Sequence, residues 1–224
     1  MQAALPPVVM EHSISIPSSL DGPHRSTVCM FKRSLDILGS LVGLAVLAIL
    51  FIPLAIAIKL DSPGPVLYSQ IRYGLLGRPF RIYKFRSMVA NADALKSQVK
   101  NEAKGLIFKN EDDPRITRVG RILRSTSLDE FPQFWNVLIG EMSLVGTRPP
   151  TGDEVSRYES HHWQRLMVKP GLTGEWQVNG RSSVKDFEEI VSLDLRYQAQ
   201  WHPLYDLFLI ARTIYVIIAK VGAC

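Results

Sequence analysis

From Ile37 to Ile58 no Asp, Glu, Lys, Arg or His interrupts the chain, and almost every position is apolar. A straight helix over this run reaches about 33 Å at roughly 1.5 Å per residue, enough to cross a hydrocarbon core. Pro53 lies inside it. Proline lacks a backbone N–H and its ring crowds the carbonyl four residues earlier, so a bend or break is predicted there. Lys32 and Arg33 precede the run and Lys59 follows it. Cations favour the cytoplasmic side, so a re-entrant helix that enters and leaves by one face competes with a simple span.

Ser62-Pro63-Gly64-Pro65 stops the run, and the hydrophobic period then changes. Val66 to Arg72 and Pro79 to Met88 read as two short strands around a Gly74–Gly77 turn, a small hairpin. The polar stretch 89–113 predicts a helix closed by Glu111-Asp112-Asp113-Pro114. Arg115, Arg118, Arg121 and Arg124 recur every three residues with Ile116, Val119, Ile122 and Leu123 between them. A helix there is basic on one side and aliphatic on the other, either a solvated face or a membrane-surface helix facing anionic headgroups or a bound diphosphate. Phe131, Phe134, Trp135, Leu138 and Ile139 follow a helical period that ends at Gly140. Further helices are predicted near 151–167, 183–199 and 203–220. The last has an apolar face, and Arg212 in its middle argues against a second span.

At 224 residues and 46% hydrophobic, the chain has room for one principal domain plus a membrane segment and is not wholly disordered. A net charge of +5 suits anionic partners. The two cysteines, Cys29 and Cys224, form neither a CxxC nor a zinc spacing. The expected organisation is a flexible tail over 1–30, a re-entrant membrane helix over 31–61 broken at Pro53, and a cytosolic, membrane-associated catalytic domain over 62–224. Its class is mixed α and β, mainly helical, with a small β-hairpin and amphipathic interfacial helices.

The densest chemistry lies in Ser127-Leu128-Asp129-Glu130-Phe131-Pro132. Ser127 and Glu130 match a capping box, while Asp129 as the cap would leave Pro132 in a tolerant first turn. Either way two carboxylates start a helix, where the dipole favours anions. An ionised Asp129 can act as a nucleophile, and Glu130 can hold Mg²⁺, which offsets repulsion between an anionic nucleophile and a diphosphate. Lys84 and Arg86 share one strand face if the alternation holds. Gly146-Thr147-Arg148-Pro149-Pro150 presents Arg148 rigidly, and Lys169 to Gly174 and Val178 to Ser182 are turn-rich.

Together these segments resemble the monotopic phosphoglycosyl transferases, the bacterial polyprenyl-phosphate hexose-1-phosphate transferases. The resemblance spans about 31–224. It rests on Lys-Arg-Ser-Leu-Asp (32–36), Ser-Pro-Gly-Pro-Val (62–66), Tyr-Lys-Phe-Arg-Ser-Met (83–88) and Ser-Leu-Asp-Glu-Phe-Pro-Gln (127–133). Gly-Glu-Met-Ser-Leu-Val-Gly-Thr-Arg-Pro (140–149) and Lys-Pro-Gly-Leu-Thr-Gly-Glu-Trp-Gln-Val-Asn-Gly-Arg (169–181) complete it. The resemblance implies transfer of a sugar 1-phosphate from a nucleoside diphosphate sugar, by default a UDP-hexose, to polyprenyl phosphate, with release of UMP, as the first membrane step of exopolysaccharide synthesis. It implies Asp129 as the nucleophile that forms a phosphosugar–aspartyl intermediate, Glu130 as the Mg²⁺ ligand, Lys84 as a phosphate-neutralising cation, and Arg148 and Arg181 as nucleotide-recognising residues; Arg86 is taken as a further substrate-binding cation. It also implies the bacterial inner membrane, with catalysis on the cytoplasmic face. Two departures stand out: Ile52 precedes Pro53 where the family often has Ser, and Thr147 replaces a proline before Arg148. The chain looks like a short form, without the spans that precede this domain in longer members.

Two other functions compete. A Mg²⁺-dependent nucleotide-sugar hydrolase would put water in the acceptor's place. A membrane-anchored basic binding protein would use the arginine stripe, although no interleaved aromatics supply a base-stacking surface, so nucleic acid is not an expected partner. Gly39 and Gly43 form a GxxxG that suits a homodimer or eases a kinked helix.

Overall fold

A computed structural model describes residues 24–180 and 184–219. Helix α1 (Arg25–Val28) leads into the long helix α2 (Met30–Asp61). Strands β1 (Leu67–Tyr73) and β2 (Pro79–Phe85) pair antiparallel, Leu67 opposite Phe85 and Tyr73 opposite Pro79. Helix α3 (Arg118–Ser125), a 3₁₀ segment over Leu128–Gln133 and helix α4 (Phe134–Ile139) follow. Strand β3 (Ser143–Val145), helix α5 (Gly152–Val155), strand β4 (Gly171–Thr173), helix α6 (Glu175–Val178), helix α7 (Phe187–Gln200) and helix α8 (Pro203–Ile218) complete the order. The mixed, mainly helical class and the hairpin agree with the sequence reading.

Several expectations are corrected. The N-terminal region is not loose up to residue 30: the His24 ring lies 5.9 Å from that of Trp201, and Ser26 is buried. Residues 1–23 lie outside the described set. The helix expected over 89–113 is a run of turns with one 3₁₀ turn at Lys96–Gln98. There the Asn101 side chain accepts from the backbone of Ala103 and Lys109 and donates to Ile107, replacing a helical ladder with a pinned loop. The helix near 151–167 reduces to α5, which carries a capping box between Thr151 and Glu154, and a 3₁₀ segment at His162–Met167. The parallel pair of β3 and β4, with Ser143 beside Gly171 and Val145 beside Thr173, was not anticipated, because three-residue strands carry no readable alternation.

Helix α2 stays helical through Pro53, so the interruption expected there is not found. A proline inside a helix removes one ladder bond, and a helix can accommodate its ring without ending there. At 32 residues the helix is about 48 Å long if straight. One side of it is exposed and apolar, while Lys32, Asp36, Ser40, Gly43 and Ile58 face the domain. Both ends are fastened. Near the start, the Lys32 ammonium donates to Val145 O, the Tyr197 hydroxyl and Asp206, at 2.8, 3.2 and 2.7 Å. The Asp36 carboxylate accepts from Ser143 Oγ and Leu144 N, both at 2.8 Å. Arg33 donates to the carbonyls of Val137 and Leu138 at the end of α4. Near the other end, Asp61 accepts from Val119 N at 2.9 Å, and Ile58 packs with Phe85 and Leu123. Lys32 and Arg33 are therefore internal fasteners rather than headgroup-facing flanks.

The GxxxG is also taken up within the chain. A Cβ on Gly43 would lie 2.4 Å from the Phe134 ring, and one on Gly39 would lie 2.5 Å from a Leu144 methyl. These glycines let α2 approach α4 and β3, so they lend no support to a homodimer. Gly43→Ala is expected to cost about 1–3 kcal/mol by overpacking against a ring that cannot bend. Gly39→Ala should cost less, because a leucine methyl can rotate away. Unfolding midpoints of the two variants in detergent test the order.

Candidate functional site

Residues 128–133 form a 3₁₀ turn rather than the first turn of an α-helix. Ser127 precedes it in the left-handed conformation, φ 56°, and makes no capping bond, so the capping-box account of this segment does not hold. Pro132 fits because a 3₁₀ segment followed by α4 places few demands on its missing N–H. The turn packs beneath β2 and delivers Asp129 to the wall of a cavity of about 490 Å³. Asp129 is only 4% exposed.

The cavity is bounded by the hairpin, the pinned loop 87–110, and residues 148–157. Lysines and arginines outnumber carboxylates nine to five among its lining residues, a field suited to a multiply charged anion. It brings together Asp129, Lys84, Arg86 and Arg148 with Arg115 and Arg124 of the basic stripe, all singled out in the sequence, and adds Arg72. Glu130 joins them through an ion pair, Lys84 Nζ to Oε1 at 2.8 Å, with both groups half-buried. Arg181 lies outside the described residues.

Arg86 does not behave as expected. Its guanidinium donates to the carbonyls of Ile58, Ser62 and Pro63, so it closes the end of α2. Strand β2 ends at Phe85, and the alternation that would have carried Arg86 to the face of Lys84 ends with it. The basic stripe divides too: Arg115 is buried in a salt bridge with Asp113 at 2.6 Å, and Arg124 turns inward to Ser87 Oγ at 2.9 Å.

Arg148 is held from two sides. Glu154 takes its fork at 2.8 and 3.1 Å, and the guanidinium carbon sits 5.8 Å from the Trp176 ring centroid. Arg148 holds the Glu154 carboxyl below its usual range despite burial. Behind it, fully buried Arg165 binds Asp194 at 2.8 Å and the Tyr158 hydroxyl at 2.9 Å. Burial, and then the like charge of Arg148, bring Arg72 down to about 10. Arg72 donates to Pro149 O at 3.0 Å, which ties the hairpin to the segment bearing Arg148. Nothing in its spacing marked Arg72: a lone arginine near the end of a strand has no local signature.

Magnesium is usually held by one or two carboxylates together with substrate phosphates and water. Glu130 beside a cationic cavity fits such a donor set in residue type, with Lys84 sharing one of its oxygens. Another group, His161, His162 and Glu188, has metal-like spacing. His162 Nδ1 accepts from Glu159 N at 2.9 Å, so a neutral His162 carries its proton on Nε2 and donates it to Glu188 at 2.7 Å. That nitrogen then has no lone pair for a metal.

Comparison with known proteins adds the following. A model described as bacterial sugar transferase matches residues 27–220. The galactosyl transferase CpsE of Streptococcus agalactiae is 50% identical over 194 residues, 86% of this chain and 43% of that protein. The undecaprenyl-phosphate galactose phosphotransferase of Salmonella typhimurium is 42% identical, over 86% of this chain and 41% of that protein. The exopolysaccharide production protein ExoY of Sinorhizobium fredii is 38% identical, over 82% of this chain and 83% of that protein. The chain thus spans less than half the length of the first two relatives.

Proposed function

We propose that this chain, which belongs to the bacterial sugar transferase family, transfers a sugar 1-phosphate from a nucleoside diphosphate sugar to polyprenyl phosphate at a membrane surface. The observation that carries the reading is the buried Asp129 carboxylate on the wall of a cavity dominated by cations. The names of its relatives, an undecaprenyl-phosphate galactose phosphotransferase and an exopolysaccharide production protein, agree with it.

In this mechanism an Asp129 oxygen attacks the phosphorus that bears the sugar. The bond from that phosphorus to the bridging oxygen breaks, and the nucleoside monophosphate, UMP for a UDP-hexose, leaves with the electron pair. An oxygen of polyprenyl phosphate then attacks the same phosphorus, releasing the Asp129 carboxylate and forming a lipid diphosphate sugar. Lys84, Arg72, Arg124 and Arg148 neutralise the phosphates through both displacements. Mg²⁺, held by Glu130, would lower the charge repulsion between carboxylate and diphosphate. Arg181, in the turn-rich segment after α6, is assigned to the nucleotide on the family resemblance alone.

Re-entry of α2 on the cytoplasmic face, by bending at Pro53 within the unbroken helix, belongs to the same reading. Its support is the fastening of both helix ends to one domain, through Lys32 and Asp36 at the start and Asp61 at the end. Tags at residue 20 and at the C-terminus are expected on the same, cytoplasmic side of the membrane; opposite-side labelling would make α2 a simple span.

The reaction is tested with a panel of donors labelled in the sugar, together with polyprenyl phosphate and Mg²⁺. Label should pass into the organic phase only when the lipid phosphate is present, and chelation of the metal should stop it. Label released as soluble sugar 1-phosphate at the same rate without lipid would establish the hydrolase instead. Arg148→Lys keeps the charge but loses the fork to Glu154 and the flat contact with Trp176. Its KM for the nucleotide sugar is expected to rise about tenfold, as for the loss of one charge-assisted bond.

A further inference from the structure

Helix α8 buries one side and leaves the other bare. Asp206 and Leu209 point inward at 1% exposure each, and Thr213 shares a hydrogen bond with Thr173 at 2.6 Å. The outer side carries Leu204, Phe208, Ile214 and Tyr215, between 52% and 69% exposed. Arg212 sits at the rim of that apolar side. Together with Arg196 of α7, Glu175 and Tyr205 it lines a cleft of about 410 Å³. Among the described residues neither guanidinium takes part in an ion pair, whereas the Glu175 carboxylate already accepts from Tyr205 and Asn179. The cleft shares no lining residue with the cavity around Asp129.

What covers this side follows from where α8 is fastened. Its Asp206 bonds to Lys32 in the first turn of α2, so the bare side of α8 begins beside the start of the membrane-length helix. An exposed apolar stripe edged by arginines is the pattern of a helix lying in a bilayer interface, with its cations reaching headgroup phosphates along aliphatic stems.

We propose that the cleft between α7 and α8 is a docking site for the headgroup of an anionic phospholipid. The phosphodiester lies between Arg196 and Arg212, and the acyl chains follow Phe208 and Tyr215. The site rests on the reading of α2 as a membrane helix. It is separate from the acceptor site, because polyprenyl phosphate must reach Asp129.

The test titrates the purified full chain, in neutral detergent, with short-chain phosphatidylglycerol, short-chain phosphatidylcholine and inorganic phosphate, following tryptophan fluorescence. Phosphatidylglycerol is expected to bind and the other two to bind far more weakly. The double variant R196Q/R212Q should weaken phosphatidylglycerol about 30-fold, roughly fivefold for each cation lost near an anionic headgroup. R196K/R212K should retain most of the preference, which a merely structural role for the arginines would not explain. Equal binding of the two lipids, an unchanged affinity in R196Q/R212Q, or phosphate binding as tightly as phosphatidylglycerol would each overturn the proposal. Carbonate extraction of wild-type membranes separates its premise: release into the supernatant would remove the membrane reading of α2. Retention in the pellet without any phosphatidylglycerol preference would remove the cleft alone.

Discussion

Replacing Asp129 with Asn is expected to abolish transfer, lowering turnover by at least about 10³-fold, with little change in the unfolding midpoint. The substitution keeps the shape of a nearly buried side chain and removes its charge, so a change in rate reports on chemistry rather than on folding. An amide oxygen is too weak a nucleophile to displace a nucleotide from a diphosphate. The prediction has a direct second readout. Wild-type protein incubated with sugar-labelled donor and no lipid should become covalently labelled, and the label should leave when polyprenyl phosphate is added. Asp129→Asn should take up none. A variant that still transfers, or a wild type that never carries label under single-turnover conditions, would point to one-step attack by the lipid phosphate. Glu130→Gln serves as a contrast. It is expected to weaken Mg²⁺ dependence and slow labelling while leaving the nucleophile in place.

Lys32→Met should be the most damaging single change to stability, at about 3–5 kcal/mol, because it strands the Asp206 charge in the interior. Lys32 and Asp206 are 5% and 1% exposed and 2.7 Å apart. Asp206 also accepts from the Tyr197 hydroxyl at 2.8 Å and from Trp201 Nε1 at 3.2 Å. Burial, and then the neighbouring Asp206 charge, push the Tyr197 phenol well above its ordinary value, so it remains an O–H donor. These neutral donors do not cancel a buried charge, but they can serve a neutral acceptor. The double variant Lys32→Met/Asp206→Asn is therefore expected to recover a substantial part of the loss. Unfolding in detergent and the amount of protein in the membrane fraction measure both. An unchanged midpoint in Lys32→Met would mean that α2 is held by its apolar packing alone.

How far the chain could be read in advance depended on distance along it. The hairpin and α8 came within a few residues of their observed limits, and Gly140 ends α4 in the left-handed conformation. Each is set by neighbours within one or two turns. The Asp129-Glu130 pair and Lys84 were likewise visible as charged residues in ordered motifs; Asp129 and Lys84 line one cavity, and Glu130 pairs with Lys84. Arg72 was not visible, because its hydrogen bond to Pro149 spans 77 residues and the charge of Arg148 that it feels is equally remote in the chain. Arg86 was misjudged for the same reason: its partners are carbonyls 23 to 28 residues away at a helix end.

The sequence by itself determined that a membrane-length apolar helix precedes a mainly helical domain with one hairpin. It also determined that two carboxylates and several cations sit in fixed turns. Those features follow from hydrophobic period, proline and glycine placement, and charge, all of which act locally. Only the tertiary structure decided what the charges are for. Lys32 and Arg33, read as a membrane flank, join Asp36 in fastening α2 to its own domain. Gly39 and Gly43 admit Leu144 and Phe134 of the same chain rather than a second copy of it, and α2 continues through Pro53. A cation or a glycine looks the same in sequence whether it faces lipid, substrate or its own backbone. The choice is made by long-range packing, where a buried charge must find its partner wherever the fold supplies one.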